Sequence, residues 1–137
     1  MRIKVGFGYD VHRLVEGRAL FLGGIKIEHS HGLLGHSDAD VLIHAVCDAL
    51  LGAASLRDIG YHFPDNSNEF KNIDSKILLQ KTVQLLAENG FSVGNIDCTI
   101  CAERPKLKDY IEPMRECFAR ILSVEISDVS IKENNKK

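Results

Sequence analysis

The sequence predicts an α+β fold, a mixed β-sheet or α/β sandwich with helices packed on one face, and three patterns carry that expectation. Two short apolar runs, residues 19–22 and 25–27, flank Gly23-Gly24, a two-residue hairpin signal. Residues 93–102 alternate apolar and polar side chains with the two-residue period of a strand. Met114, Cys117, Phe118, Ile121 and Leu122 recur at helical spacing, which predicts a helix over residues 111–122. Strands and helices mixed along one short chain pack as helices on a sheet.

The remaining elements follow in order. Residues 3–9 are apolar and interrupted by glycine, and read as a first strand. Residues 30–37 form a loop rich in His and Gly. A helix then starts with Ser37 as N-cap and Asp40 three residues on, imitating a capping box, and runs on to Leu50, with Gly52 weakening its end. Residues 56–72 are polar and turn-rich, longer than an ordinary connector, and long loops in compact domains are often functional. A second helix begins at Asp74 or Ser75 and ends near Asn89, with Gly90 as its C′ residue. Residues 129–131 read as a last strand.

At 137 residues the chain suits one domain, over 1–137. Its formal charge of −2 argues against a general nucleic-acid binder, which needs a basic face. No apolar run approaches the roughly 18 residues of a membrane span, and the first residues lack the apolar core of a secretory signal. These features predict a cytoplasmic protein with reduced thiols. Of the four cysteines, Cys98 and Cys101 form a Cys-x-x-Cys, a spacing also used in redox and zinc chemistry. Placed on a strand, residues three apart face opposite ways, so structural thiols are the simpler reading.

Four stretches carry candidate chemistry. Asp10 and His12 follow the first strand, and residues two apart on an extended chain point to one side, where a carboxylate and an imidazole can meet one cation. Two solvated polar residues at a strand end are the plain alternative. Asp40 and His44 lie four apart on a helix and share a face, so His44 can complete a three-ligand zinc site while Asp40 orients it or a substrate hydroxyl. His44 also sits among apolar neighbours, as a satisfied core histidine would. The loop from Arg57 to Asp65 offers Asp58 and backbone groups to a substrate, or is an ordinary turn closed by Pro64-Asp65. The stretch Ala102-Glu103-Arg104-Pro105-Lys106-Leu107-Lys108 follows a strand with three cations, and is either a phosphate-holding turn or a charged surface turn.

Together these strings resemble the 2-C-methyl-D-erythritol 2,4-cyclodiphosphate synthase family. The matching segments are Gly8-Tyr9-Asp10-Val11-His12, Leu22-Gly23-Gly24, and the run from Gly32 to Val41 that includes His36-Ser37-Asp38-Ala39-Asp40. They continue with His44-Ala45, the run from Asp48 to Ala54, Asp58-Ile59-Gly60, Phe63-Pro64-Asp65 and Pro105-Lys106-Leu107, in order over residues 1 to about 132. The resemblance implies a chorismate-mutase-like or ferredoxin-like trimeric sandwich, a homotrimer with its active sites between subunits. It implies Zn2+ on Asp10, His12 and His44, and His36 as a catalytic residue that stabilises the transition state. Asp10, His12, His36, Ser37, Asp58, Ile59, Gly60, Phe63, Pro64 and Asp65 would contact the substrate, and Ala102, Pro105, Lys106 and Leu107 its cytidine nucleotide. A second divalent ion, Mg2+ or Mn2+, bridges the diphosphate in the family.

The implied reaction converts 4-diphosphocytidyl-2-C-methyl-D-erythritol 2-phosphate into the 2,4-cyclodiphosphate and releases CMP. The attacking phosphate is tethered to its target, so positioning and charge stabilisation are what remain for the protein. After Ile131-Lys132 the family continues with a Thr-rich loop, an acidic metal ligand and a last helix, where this chain has Glu133-Asn134-Asn135-Lys136-Lys137. The family's C-terminal segment is therefore expected to be missing after about residue 132. That leaves an alternative expectation: a catalytically impaired module that keeps its affinity for zinc and cytidine nucleotides. A purely structural zinc site is disfavoured, because such sites are closed by four ligands and only three are in view.

Overall fold

The computed structural model describes residues 2–35, 37–64 and 73–134. In chain order the elements are β1 (Leu14–Glu16), β2 (Leu20–Leu22), β3 (Ile25–Ile27), β4 (His31–Leu33), α1 (Val41–Ala53), α2 (Ile59–His62), α3 (Ser75–Glu88), β5 (Ile96–Cys101), α4 (Ile111–Leu122) and β6 (Val129–Asn134). Short 3-10 turns at Lys108–Tyr110 and Ile126–Asp128 lead into α4 and β6. The chain is thus mixed α and β, as the residue patterns predict. The strands pair differently from the single sheet expected: among the described residues they form separate two-stranded ladders, β1 with β4, β2 with β3, and β5 with β6.

Each ladder has a local cause. The β2–β3 hairpin turns at Gly23 and Gly24, both at positive φ (58° and 79°), which a two-residue turn of this kind requires and which glycine adopts without steric cost. Leu20 lies opposite Ile27, and both are buried. The stretch read as a His- and Gly-rich loop instead supplies β4, antiparallel to β1 with Val15 opposite Gly32. Three-residue strands are too short for their side-chain alternation to stand out, so neither β1 nor β4 was visible in the sequence. The parallel pair β5–β6 is longer than expected at its end, running on to Asn134, with Cys98 opposite Ile131.

Residues 3–9 form no strand, against expectation. A strand is defined by its hydrogen-bonded ladder, and among the described residues this segment has no ladder partner. Its apolar side chains are exposed, from 74% at Tyr9 to 90% at Val5, with Ile3 and Phe7 between. The segment crosses α1 instead. A Cβ at Gly8 would lie 1.8 Å from the Ala45 carbonyl oxygen, and one at Gly6 as close to that of Ala49, so only glycine permits this approach.

The three long helices close the core. α1 begins one turn later than the Ser37 cap predicts: Asp40 is the N-cap, accepting from the Ile43 N–H at 3.0 Å. α3 is capped by Asp74 and ends at Asn89, with Gly90 at φ 83° just beyond it, as read from the sequence. α4 spans the expected residues, buries Met114, Cys117, Phe118 and Leu122, and stops where Ser123 turns left-handed at φ 58°. α1 packs on α3, and α4 lies against β6 and α3. Leu79, Met114 and Phe118 are fully buried between these layers.

Asp40 does more than cap. Its Oδ1 accepts from the Gly23 N–H at 3.0 Å and its Oδ2 from the Gly24 N–H at 2.7 Å, so one fully buried carboxylate ties the hairpin turn to the start of α1. It does not face His44 or a cavity, and the sequence reading of Asp40 as an orienting acceptor for the site is corrected accordingly. Burial pushes its carboxyl above the ordinary value, against the N–H donors of Ile43, Gly24 and Gly23.

The cysteines settle into the structural reading. Cys98 is buried and Cys101 exposed on opposite sides of β5, and Cys47 and Cys117 are buried. Burial pushes the Cys47 thiol up to about 12 and the Cys98 thiol up to about 11.

Two outcomes follow from these contacts. Asp40→Asn keeps one acceptor but turns an amide N–H2 toward a backbone N–H that Asp40 now accepts from. The variant is expected to lose about 1–3 kcal/mol of stability in urea unfolding, the usual cost of leaving a buried polar group unmatched. A native-state thiol titration is expected to modify Cys101 rapidly and the other three cysteines only on unfolding. Cys101→Ser is expected to remove the fast phase.

Candidate metal centre

The approach of the N-terminal segment to α1 sets up the site. After Gly8 the chain alternates, with Tyr9 and Val11 exposed and Asp10 and His12 half-buried, so the two polar side chains face the helix together. His44 stands in the second turn of α1 and is buried. Asp10, His12 and His44 thereby bring one ligand atom each to within 4.8 Å of one another. The convergence expected from the Asp-x-His spacing and the helix His is present in the structure.

The hydrogen bonds show which atoms face inward. His12 Nδ1 lies 2.9 Å from the Leu34 carbonyl oxygen, which can only accept, so Nδ1 carries a proton. Its Nε2 faces Asp10 Oδ2 at 2.9 Å, with an N–H when the ring is doubly protonated and with a lone pair when it is neutral. His44 Nδ1 faces the same Oδ2 at 3.4 Å, and the two rings meet edge to face at 5.5 Å. Burial acts to raise the pKa of the Asp10 carboxyl, yet hydrogen bonds and charge from His12 and His44 outweigh it and hold the carboxyl well below the usual range.

One carboxylate oxygen facing two ring nitrogens is satisfied either by protons on both imidazoles or by one cation among all three groups. The second avoids placing two positive rings side by side. Two imidazole nitrogens and a carboxylate oxygen are ligand types that zinc accepts, and three protein ligands leave the open position of a catalytic site. The residues present therefore fit a divalent metal.

A cavity of about 210 Å3 opens beside this cluster. Beyond the triad it is lined by Ser37, Asp48, Ile59, Gly60 and Phe63, so the predicted helix start and the predicted substrate loop meet at the same space. Within the loop lies an unpredicted helix, α2, held at its N-terminus by two carboxylates. Asp58 caps it by accepting from the Tyr61 N–H at 3.0 Å, and Asp48 Oδ1 accepts from the Ile59 N–H at 2.9 Å. A second cavity, of about 360 Å3, shares Asp10 and His12 and extends to Ala102, Pro105 and Leu107.

The other predicted residues are placed as follows. Pro64 is exposed and lines neither cavity. Asp58 borders the loop through its cap but is not in the cavity wall. Lys106 is exposed beside the second cavity. The Leu107 side chain belongs to the core, and its N–H donates to Glu133 Oε2 at 2.9 Å. His36 and Asp65 lie outside the described residues.

Sequence reasoning missed Asp48 as a wall residue. It follows His44 by four on α1 and so shares its face, a signal that was available. Burial raises its carboxyl pKa, and the charges of Asp58 and Asp10 push the same way.

Comparisons with known proteins identify the family. A family model described as the YgbB family matches residues 3–137. A 2-C-methyl-D-erythritol 2,4-cyclodiphosphate synthase of Bacteroides thetaiotaomicron is 69% identical over 132 residues, which are 96% of this chain and 83% of that protein. Among solved structures, a synthase of the same name with CDP bound superposes with a TM-score of 0.89 at 32% identity, over 94% of this chain and 86% of that one. A bifunctional protein of Campylobacter jejuni matches with a TM-score of 0.92 at 41% identity, over 97% of this chain but only 36% of its own length. The chain therefore belongs to the YgbB family and is an enzyme of the 2-C-methyl-D-erythritol 2,4-cyclodiphosphate synthase type, a lyase of isoprenoid-precursor synthesis.

Proposed function

We propose that this chain converts 4-diphosphocytidyl-2-C-methyl-D-erythritol 2-phosphate into 2-C-methyl-D-erythritol 2,4-cyclodiphosphate with release of CMP, in the cytoplasm of a bacterium. The observation that carries the proposal is the convergence of Asp10, His12 and His44 at a cavity whose far wall is the Ile59–Phe63 segment. Zn2+ is the ion that two imidazoles and one carboxylate suit best, held by His12 Nε2, His44 Nδ1 and Asp10. When bound, a divalent cation of this kind polarises a phosphoryl oxygen as a Lewis acid.

In the proposed reaction an oxygen of the 2-phosphate attacks the β-phosphorus, and the bond from that phosphorus to the CMP oxygen breaks. No protein nucleophile is required, so the chain's work is orientation and exclusion of water. Ile59, Gly60 and Phe63 form an apolar and backbone wall against the methylerythritol part, and the family resemblance adds Asp58 and Asp65 to its contacts. Ser37 stands beside the metal cluster and His36 next to it in sequence, where the family resemblance assigns stabilisation of the transition state. The cytidine nucleotide is proposed to lie along Ala102, Pro105, Lys106 and Leu107, at the end of the larger cavity, as CDP binding by a related synthase suggests.

We further propose that the chain works as one domain within a homotrimer. Support comes from the exposed row Ile3, Val5, Phe7, Tyr9 and Val11, since apolar surface of this extent usually marks a covered face. No helix among the described residues is long and apolar enough to cross a membrane. The alternative of an impaired binding module gains no support from the relatives reported above, the Bacteroides thetaiotaomicron protein and the CDP-bound structure both being named as synthases.

The test joins metal content to turnover. Purified chain is expected to carry one zinc at the triad and to release CMP from the substrate. The His12→Ala, His44→Ala double variant is expected to carry none and to release CMP at least about a hundredfold more slowly, the loss typical of removing one preorganised stabilising group. Unchanged zinc content in the double variant would contradict the assignment.

A further inference from the structure

We propose that Asp38 and Ser75 act together as a positioning pair that sets the tautomer of His44 and so prepares its Nδ1 as a metal ligand. This rests on the metal reading of the Asp10, His12 and His44 cluster given above. Neither residue touches that cluster's inner face, and they are 37 positions apart in the chain.

The shorter contacts around His44 point to one assignment. Asp38, as a carboxylate, can only accept. The Ser75 hydroxyl is in short contact with Asp38 Oδ1, so its single proton is donated there. Ser75 Oγ is then an acceptor toward its other neighbour, His44 Nε2, at 2.9 Å. His44 Nε2 must therefore carry the proton. In a neutral imidazole the other nitrogen then holds the lone pair, and that nitrogen, Nδ1, is the one facing Asp10 Oδ2 at 3.4 Å.

The surroundings hold this arrangement in place. Ser75 is fully buried, and its own N–H donates to Asp38 Oδ2 at 2.9 Å, so hydroxyl and amide grip both oxygens of one carboxylate. Asp38 is held in turn at its backbone, where its N–H donates to the Ile73 carbonyl at 3.2 Å. Asp38 Oδ1 also accepts from the Asp40 N–H at 3.1 Å. Ser37 Oγ, which accepts from the Ala39 N–H, stands 3.3 Å from the same His44 nitrogen and is the weaker partner by distance alone. The first residue of α3 thus orients a side chain of α1.

Partners of this kind usually change metal affinity about 10–100-fold when removed. The test compares the parent chain with Ser75→Ala, which deletes the hydroxyl in a buried site, and Ser75→Thr, which keeps one. Zinc affinity is read by competition with a chromophoric chelator, and the His44 tautomer of the metal-free protein by nitrogen-15 NMR at a pH alkaline enough that both imidazoles are neutral. Circular dichroism checks that each variant is folded.

The expected result is a parent with His44 protonated on Nε2, a Ser75→Ala variant with about 10–100-fold weaker zinc binding and a mixed or reversed tautomer, and recovery of both in Ser75→Thr. Folded Ser75→Ala that binds zinc as the parent does and keeps the parent tautomer overturns the pair while leaving the metal reading intact. A parent that takes up no zinc overturns the metal reading, and with it the pair as a device for metal binding.

Discussion

Everything at the candidate site depends on how closely the N-terminal segment can lie on α1. Metal ligands on separate elements converge only if their backbones come near, and side chains normally keep backbones apart. Here Gly6 and Gly8 remove the obstacle on one side, and a Cβ at either would meet a helix carbonyl at 1.8 Å. Alanines at 45, 49 and 53 keep the facing surface of the helix shallow. Asp10 and His12 then arrive opposite His44 because they are two and four residues past the last contact glycine, on the face that extended backbone turns to the helix.

A second constraint fixes α1 itself. The Asp40 carboxylate holds the helix N-terminus and the Gly23-Gly24 turn through three backbone N–H groups. Neighbouring Asp38 reaches the other way, to the start of α3. Two carboxylates two residues apart thereby divide the work, one joining α1 to the hairpin, the other joining the loop before α1 to α3. The cavity wall formed by α2 is anchored by a third, Asp48, on the same helix. The polar residues around α1 are thus largely engaged in holding elements together, which keeps the three ligand groups in place without a metal to gather them.

Much of this was legible in the residues. Helical spacing located α3 and α4, because long amphipathic segments with defined caps repeat their signal several times. The Gly-Gly turn located the hairpin. The convergence of Asp10, His12 and His44 was legible because period two and period 3.6 each predict which residues share a face. Several of the features that escaped notice rely on contacts far apart in sequence. Asp40 reads locally as part of a capping box and only the distant hairpin turn shows its second task. Asp38 and Ser75 form no motif until α3 packs against the loop. Residues 3–9 have a strand's composition, but a ladder needs a partner, and none stands beside them among the described residues. The Cys-x-x-Cys was resolved by the reverse logic, since a strand separates its two thiols whatever lies around it.

The central claim is that a divalent metal sits on two imidazoles and a carboxylate and on no thiol. X-ray absorption at the zinc edge of the purified chain tests it most directly. The account predicts a first shell of nitrogen and oxygen at about 2.0–2.1 Å with the outer-shell scattering of two imidazole rings. A sulfur shell at about 2.3 Å would contradict it and move the metal to the cysteines.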